Sequence, residues 1–127
     1  MGNATLTAEE ISRDKWNAAL AAITRDYRGA HSRLEVISLD LGSQVETEDR
    51  PFFGIAADLK DAECVIWIHF DNFDHGVYSP NTIRVLPRIG EAGPIIEIED
   101  EDGVKTILTL RPAEEYELPP GKRGGRK

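Results

Sequence analysis

After Gly29 the apolar spacing of this chain changes from three or four residues to two, and it does not change back. Upstream of that point Trp16, Leu20, Ile23 and Tyr27 recur at helical steps with Ala19 beside them, which predicts one amphipathic helix over about residues 8–28. Gly29 is placed to end it. A single helix cannot supply the repeated crossovers that parallel strands require, so the strands that follow must pair mostly antiparallel. The pattern therefore predicts an α+β fold: an N-terminal helix and about seven strands in a strongly bent sheet or small barrel, with the helix covering an open face or end.

Two starts compete for the helix. Thr7 and Glu10 have the spacing of a capping box, with Leu6 and Ile11 as the hydrophobic staple. Ser12 is the rival N-cap and would begin the helix at Arg13. The period-two segments are His31 to Leu39, Ser43 to Glu48, Pro51 to Leu59, Glu63 to Asp71, Thr82 to Leu86, Ile95 to Asp100 and Val104 to Arg111. Short charged residues suit Ser43 to Glu48 to an edge. Asp58 to Asp61 reads as a polar hairpin connection, and Asp71 to Pro80 as the longest irregular stretch. Asp102-Gly103 is the strongest hairpin signal, and a two-residue loop there would set Asp100 opposite Lys105. No apolar side chain follows Leu118, so the domain is expected over 1–114 and a flexible basic tail over 115–127.

The 127-residue length has room for one domain of ordinary globular composition, 40% hydrophobic and 30% charged. Cys64, the single cysteine, cannot form an intramolecular disulfide, and a reducing compartment is the natural reading. The sequence carries no apolar run of the ~20 residues needed to span a bilayer, and Met1 to Thr5 lacks the pattern of a signal peptide. Cytoplasm is the expected location. Lys122, Arg123, Arg126 and Lys127 hold four of the fifteen bases, which leaves eleven against twenty-three acids, a net of −12, over residues 1–121. A body so acidic repels nucleic acid and anionic membrane.

The order and spacing of Arg13-Asp14-Lys15-Trp16, Leu34-Glu35-Val36, Gly42 to Glu46, Gly54 to Asp58, Asp74-His75 and Pro80 to Val85 resemble the bacterial DUF5335 family, a domain family of unknown function, over about residues 11–111. The resemblance implies one small bacterial domain. It carries no activity, cofactor or catalytic residue to this chain, and Gly121 to Lys127 lie outside it.

Several constellations can be weighed on their chemistry. Glu97 to Gly103 contains five acids, but a calcium loop ending its first half at Gly103 would place Ile98 and Thr109 where oxygen ligands belong. The acids read instead as a solvated hairpin tip. His69, Asp71, Asp74 and His75 hold donors of the kind zinc or iron takes, yet Asp is a common turn former and a His beside Asp is often only hydrogen-bonded. Cys64 alternates with Ile66, Ile68 and Phe70, a packed position where a thiol ionises poorly. The sequence has no nucleophile elbow, phosphate loop or dinucleotide fingerprint. No catalytic residue, metal ligand or cofactor is assigned.

One stretch combines aromatic and imidazole side chains: Trp67, His69, Phe73, His75 and Tyr78, on one strand face and the loop it enters. Packing of Trp67 and Phe73 beneath the helix is the purely structural account of the same residues. These five form the nominated binding patch, and the function expected is a non-enzymatic interaction or accessory module working through a protein partner. A small enzyme or a metal- or small-molecule-binding protein using His69 to Tyr78 is the alternative. A nucleic-acid-associated protein acting through the basic tail is the third reading; that tail has no aromatic residue to stack on bases.

Overall fold

A computed structural model describes residues 8–60, 63–86 and 93–111. The element order is β1 (Glu9–Glu10), a 3-10 turn (Arg13–Lys15), α1 (Trp16–Tyr27), β2 (His31–Ser38), β3 (Gly42–Lys60), β4 (Glu63–Phe70), β5 (Phe73–Tyr78), β6 (Pro80–Leu86), β7 (Ile95–Asp100) and β8 (Lys105–Arg111). The strands form one sheet in the order β1-β6-β7-β8-β2-β3-β4-β5, and every pair is antiparallel. The end strands β1 and β5 do not pair with each other, so the sheet stays open rather than closing into a barrel.

The bend comes from β3. Its first half pairs with β2 and its second half with β4, so one 19-residue strand belongs to both halves of the sheet. The ladder register skips Glu46, Asp49 and Phe53, three bulges in one strand, and bulges add twist and bend. Asp49 takes a left-handed φ of 60°, where the sequence pattern suggests two strands and a break. A second corner lies at Ser79 (φ 52°), between β5 and β6. Ser79 N–H donates to the Cys64 carbonyl, and the Ser79 carbonyl accepts from Glu101 N–H.

Folding the sheet over gives both halves one core. Leu34, Ile83, Ile96, Ile98, Leu108 and Leu110 meet Phe52, Ile55, Ile66, Ile68, Phe70 and Val77, and Trp16 and Leu20 enter from α1. Trp16 Nε1 donates to the Ile11 carbonyl at 3.0 Å, and the Arg13 guanidinium lies 4.3 Å over its ring. Trp16 is thereby fixed on the apolar, the polar and the π side of its ring.

The helix begins later than the capping-box spacing suggests. Glu9–Glu10 is a short strand against Val85 and Arg84 of β6, so Glu10 cannot cap a helix; Thr7 lies outside the described residues. Ile11 N–H donates to the Ile83 carbonyl, and this pairing overrides the local cap signal. Helical geometry starts at Arg13 with Ser12 as N-cap, and Gly29 ends it at φ 93°. The helix end then seals one edge of β3. Gly29 N–H donates to the Phe52 carbonyl, and Phe52 N–H to the Ala30 carbonyl. Thr24 Oγ1 both accepts from Ile55 N–H (2.9 Å) and donates to the Ile55 carbonyl (3.0 Å). A side chain replaces a missing strand there, which satisfies backbone groups that burial would otherwise leave costly.

Two smaller expectations are also corrected, and a third falls outside the described residues. Asp58 to Lys60 continue β3, while Asp61 and Ala62 lie outside the described residues. The hairpin at Gly103 has three loop residues: Asp100 pairs with Val104, Gly103 takes φ 84°, and Lys105 faces Glu99. Lys105 reaches Glu97 diagonally at 3.8 Å instead. The tail beyond Arg111, with the expected boundary near residue 114, lies outside the described residues.

Candidate functional site

Most of the stretch Asp71 to Pro80 is not a loop: Phe73–Tyr78 form the strand β5. Asp71 and Asn72 make a two-residue connection with Asn72 at φ 61°, and β5 pairs with β4 from Phe70–Phe73 to Val65–Tyr78. Asp74 and Gly76 suggest irregular backbone, but each has a tertiary reason, Asp74 in His69 and Gly76 in Trp67. Gly76 faces Trp67 across the ladder, and a Cβ at Gly76 would sit 2.8 Å from the Trp67 ring. The indole covers the glycine, a cross-strand arrangement that stabilises a residue otherwise poor in strands.

Directly opposed residues share a face, so this register divides the five nominated residues into two groups. His69 opposes Asp74, Trp67 opposes Gly76 and Val65 opposes Tyr78, on the outer face. Ile68 opposes His75 and Phe70 opposes Phe73, on the inner face. The patch expected on one surface is therefore two surfaces. Phe73 stacks on Phe70 at 5.6 Å with the Arg50 guanidinium 5.7 Å from its ring, so Phe73 packs against the core of the sheet.

On the outer face Trp67 and Tyr78 meet edge to face, centroids 5.9 Å apart and planes at 77°. Tyr78 is 61% exposed. His69 Nδ1 lies 2.9 Å from Asp74 Oδ1, which fixes the ring and leaves Nε2 as its other polar atom. Beside this face a groove of ≈ 790 Å³ runs between α1 and β3, lined by Ala21, Arg25, Arg28, Phe53, Ala56 and His69 among others. Arg28 Nε donates to the Phe53 carbonyl, so the guanidinium is held at the groove by its backbone contact. Phe53 is exposed because the bulge after Phe52 turns it out of the core. Sequence reasoning missed Phe53, Arg25 and Arg28; alternation placed Phe53 on the same face as Ile55, and only the bulge reverses it.

On the inner side His75 faces a second, narrower groove of ≈ 350 Å³ bounded by Val36, His75 to Ser79, Asp100 to Asp102, Val104 and Thr106. Burial pushes the His75 pKa below its ordinary value of 6.5, and the Glu46 carboxylate opposes that shift in part. Asp100 Oδ1 accepts from the N–H groups of Asp102 (2.8 Å) and Val104 (3.0 Å), so this acid holds the β7–β8 turn. The acids of Glu97 to Gly103 thus line strands and a hairpin tip, as a solvated turn requires.

The alternatives weighed in sequence find these surroundings. His69 and His75 point to opposite faces, so His69, Asp71, Asp74 and His75 do not converge. No group of three or more His, Cys, Asp or Glu suited to a metal ion occurs among the described residues. Cys64 packs against the core, where burial raises its thiol pKa, with Arg13 lowering it in part and Asp58 adding to the rise. The basic tail lies outside the described residues. No helix among the described residues is long and apolar enough to cross a membrane.

Fold and site together define an α+β protein: an open, mostly antiparallel eight-stranded sheet with one short helix, and aromatic side chains displayed on one outer face. The chain belongs to the DUF5335 family, described as a family of unknown function, whose model matches residues 7–119. It is similar to an uncharacterized protein of Aquifex aeolicus (strain VF5), 30% identical over 109 residues that span 85% of this chain and 96% of the relative. No solved structure matches the chain.

Proposed function

We propose that the chain is a small non-enzymatic interaction module of the bacterial cytoplasm, which holds a partner protein on the outer face of β3, β4 and β5. The observation that carries this reading is the Trp67–Tyr78 pair, an edge-to-face aromatic contact on a solvent-facing sheet surface with Tyr78 mostly exposed. Large aromatics held rigid at a surface are the side chains that most often dominate protein recognition, because they bury much area while losing little rotamer freedom. The groove beside them supplies the surroundings such an anchor uses: Phe53 as a further apolar contact, and Arg25 and Arg28 as rim charges.

The chemistry-bearing side chains argue in the same direction. His69 is engaged by Asp74, His75 faces the other side of the sheet, and the Cys64 thiol is disfavoured from ionising. A nucleophile with a base in hydrogen-bond reach, the minimum for covalent catalysis, is not assembled among them.

The test is affinity capture from the protein's own cells with wild type and Tyr78→Ala. Tyr78 is exposed enough for the variant to keep its fold, which circular dichroism checks. A partner retained by wild type and lost by the variant is the expected result. Identical captured proteins from both would refute the assignment of this face.

A further inference from the structure

One edge of the sheet carries unpaired backbone. The strand order ends at β5, and among the described residues no strand pairs with its far side. The phase of the ladder identifies which groups are exposed there. Phe70 and Phe73 flank a two-residue connection, so they exchange both of their hydrogen bonds, and alternate pairs along the ladder do the same. Ser79 N–H, donating to the Cys64 carbonyl at 3.2 Å, confirms this phase six residues further on. The backbone groups of Phe73, His75 and Val77 therefore point to β4, and those of Asp74, Gly76 and Tyr78 point outward. Other edges are blunted: β1 has two residues, Thr24 and the end of α1 cap the second half of β3, and bulges at Glu46 and Asp49 interrupt the free side of its first half.

The groove of ≈ 350 Å³ runs beside this edge, lined by His75 to Ser79 on one side and by Asp100 to Asp102, Val104 and Thr106 on the other. Its volume lies within the range of peptide- and ligand-sized clefts, ~300–1,000 Å³. Its charged lining is acidic: Asp100, Glu101 and Asp102, with neither Lys nor Arg among the described residues, and the Glu46 charge reaches His75. Resting on the reading of this chain as an interaction module, we propose that β5 is the docking edge for an extended, basic segment of a partner protein. The segment adds as a strand along β5, its backbone paired with Asp74, Gly76 and Tyr78 and its Lys or Arg side chains turned toward the acidic groove. A second copy of this chain fits less well. Its own β5, Phe73 to Tyr78, brings no Lys or Arg, and the net charge of −8 opposes self-association.

The experiment follows the backbone amides of the 15N-labelled full chain during titration with two capped hexapeptides, three Lys-Val repeats and three Glu-Val repeats. The expected result is shift changes centred on Asp74, Gly76 and Tyr78, and slowed amide exchange there, with the Lys-Val peptide alone. Asp74→Pro removes one outward donor and should weaken that peptide about tenfold, whereas Asp74→Ala keeps the donor and should change it less than about threefold. N-methylation of alternate residues in the Lys-Val peptide gives the same loss with the protein unaltered, which covers the case of a proline variant that does not fold. Equal binding of the two peptides would overturn the proposal, as would shifts confined to other surfaces or dimerisation through β5. Absence of shifts at about 1 mM peptide, a concentration that detects even weak recognition, would overturn it too. If capture of a partner depends on Tyr78 but is the same for Asp74→Pro and Asp74→Ala, strand addition is wrong and the interaction surface stands. If capture is independent of Tyr78 while the Lys-Val peptide shifts the β5 amides, the edge stands and the face falls.

Discussion

Replacing Trp16 with alanine tests the packing of the whole molecule at one point. The side chain is 4% exposed and sits where α1 enters the core of both sheet halves. Large-to-small changes at such positions cost ~3–5 kcal/mol, from lost transfer energy and the cavity that remains. The part-buried Ile11 carbonyl also loses the indole N–H at 3.0 Å, which costs about 1 kcal/mol for a typical bond. The Arg13 contact at 4.3 Å contributes ~0.5–1 kcal/mol at a site this close to solvent. These contributions overlap, so the expected loss for Trp16→Ala is about 4–5 kcal/mol. Domains of this size are stable by ~5–15 kcal/mol, so the variant is expected to stand near unfolding. Trp16→Phe keeps most of the ring volume and removes the N–H donor, and should cost ~1–2 kcal/mol. Urea unfolding followed by far-UV circular dichroism reads both. With a slope of ~1–3 kcal/mol per molar, the alanine variant's midpoint should drop by about 2 M. A loss below ~0.5 kcal/mol for Trp16→Ala would mean that the helix does not anchor the core through this residue.

Two further outcomes follow from the site. Gly76→Ala places a Cβ 2.8 Å from the Trp67 ring and should cost ~1–3 kcal/mol, with a change in indole fluorescence as the ring is displaced; unchanged stability and spectrum would remove Trp67 from its place over the glycine. For His75 the folded-state pKa lies below 6.5 because burial disfavours the charged ring, so the unfolded chain takes a proton more readily than the fold. Its contribution is complete above pH 6.5 and is lost as pH falls toward the folded-state value. Unfolding free energy measured from about pH 8 to 5.5 should decline more in wild type than in His75→Gln, and parallel curves would contradict the burial.

Much of the fold is legible in the chain because side-chain period reports facing directly. Alternation places Ile66, Ile68 and Phe70 inward, and all three are buried. Gly29 ends the helix as its position requires. What alternation cannot supply is register and bulges. Asp49 breaks the pattern of β3 without ending the strand, because the residues on either side still pair with β2. Phe53 shares the parity of Ile55, yet the bulge beside it turns it to solvent. At the N-terminus the cap spacing of Thr7 and Glu10 is a local signal, and pairing with β6 across more than seventy residues outweighs it.

The candidate site was half legible for the same reason. Trp67 and His69 share a face by parity alone. Whether Phe73, His75 and Tyr78 join them depends on the turn at Asp71-Asn72. A two-residue connection sets Phe73 opposite Phe70, and that sends Phe73 and His75 inward and Tyr78 outward. Asp74 and Gly76 in β5 obscured the strand, because Gly76 is there for the Trp67 ring and Asp74 for His69, partners that only the folded sheet brings close.

Contact between the Trp67–Tyr78 face and a protein partner is the proposal that a single measurement in cells can decide. Its most direct measurement is crosslinking inside the producing cells, with a photoreactive benzoyl-phenylalanine at position 78 and the same group at exposed Asn17 on α1 as control. One discrete adduct of higher mass is expected from position 78 and none of that mass from position 17. No adduct from position 78, or the same adducts from both positions, would contradict it.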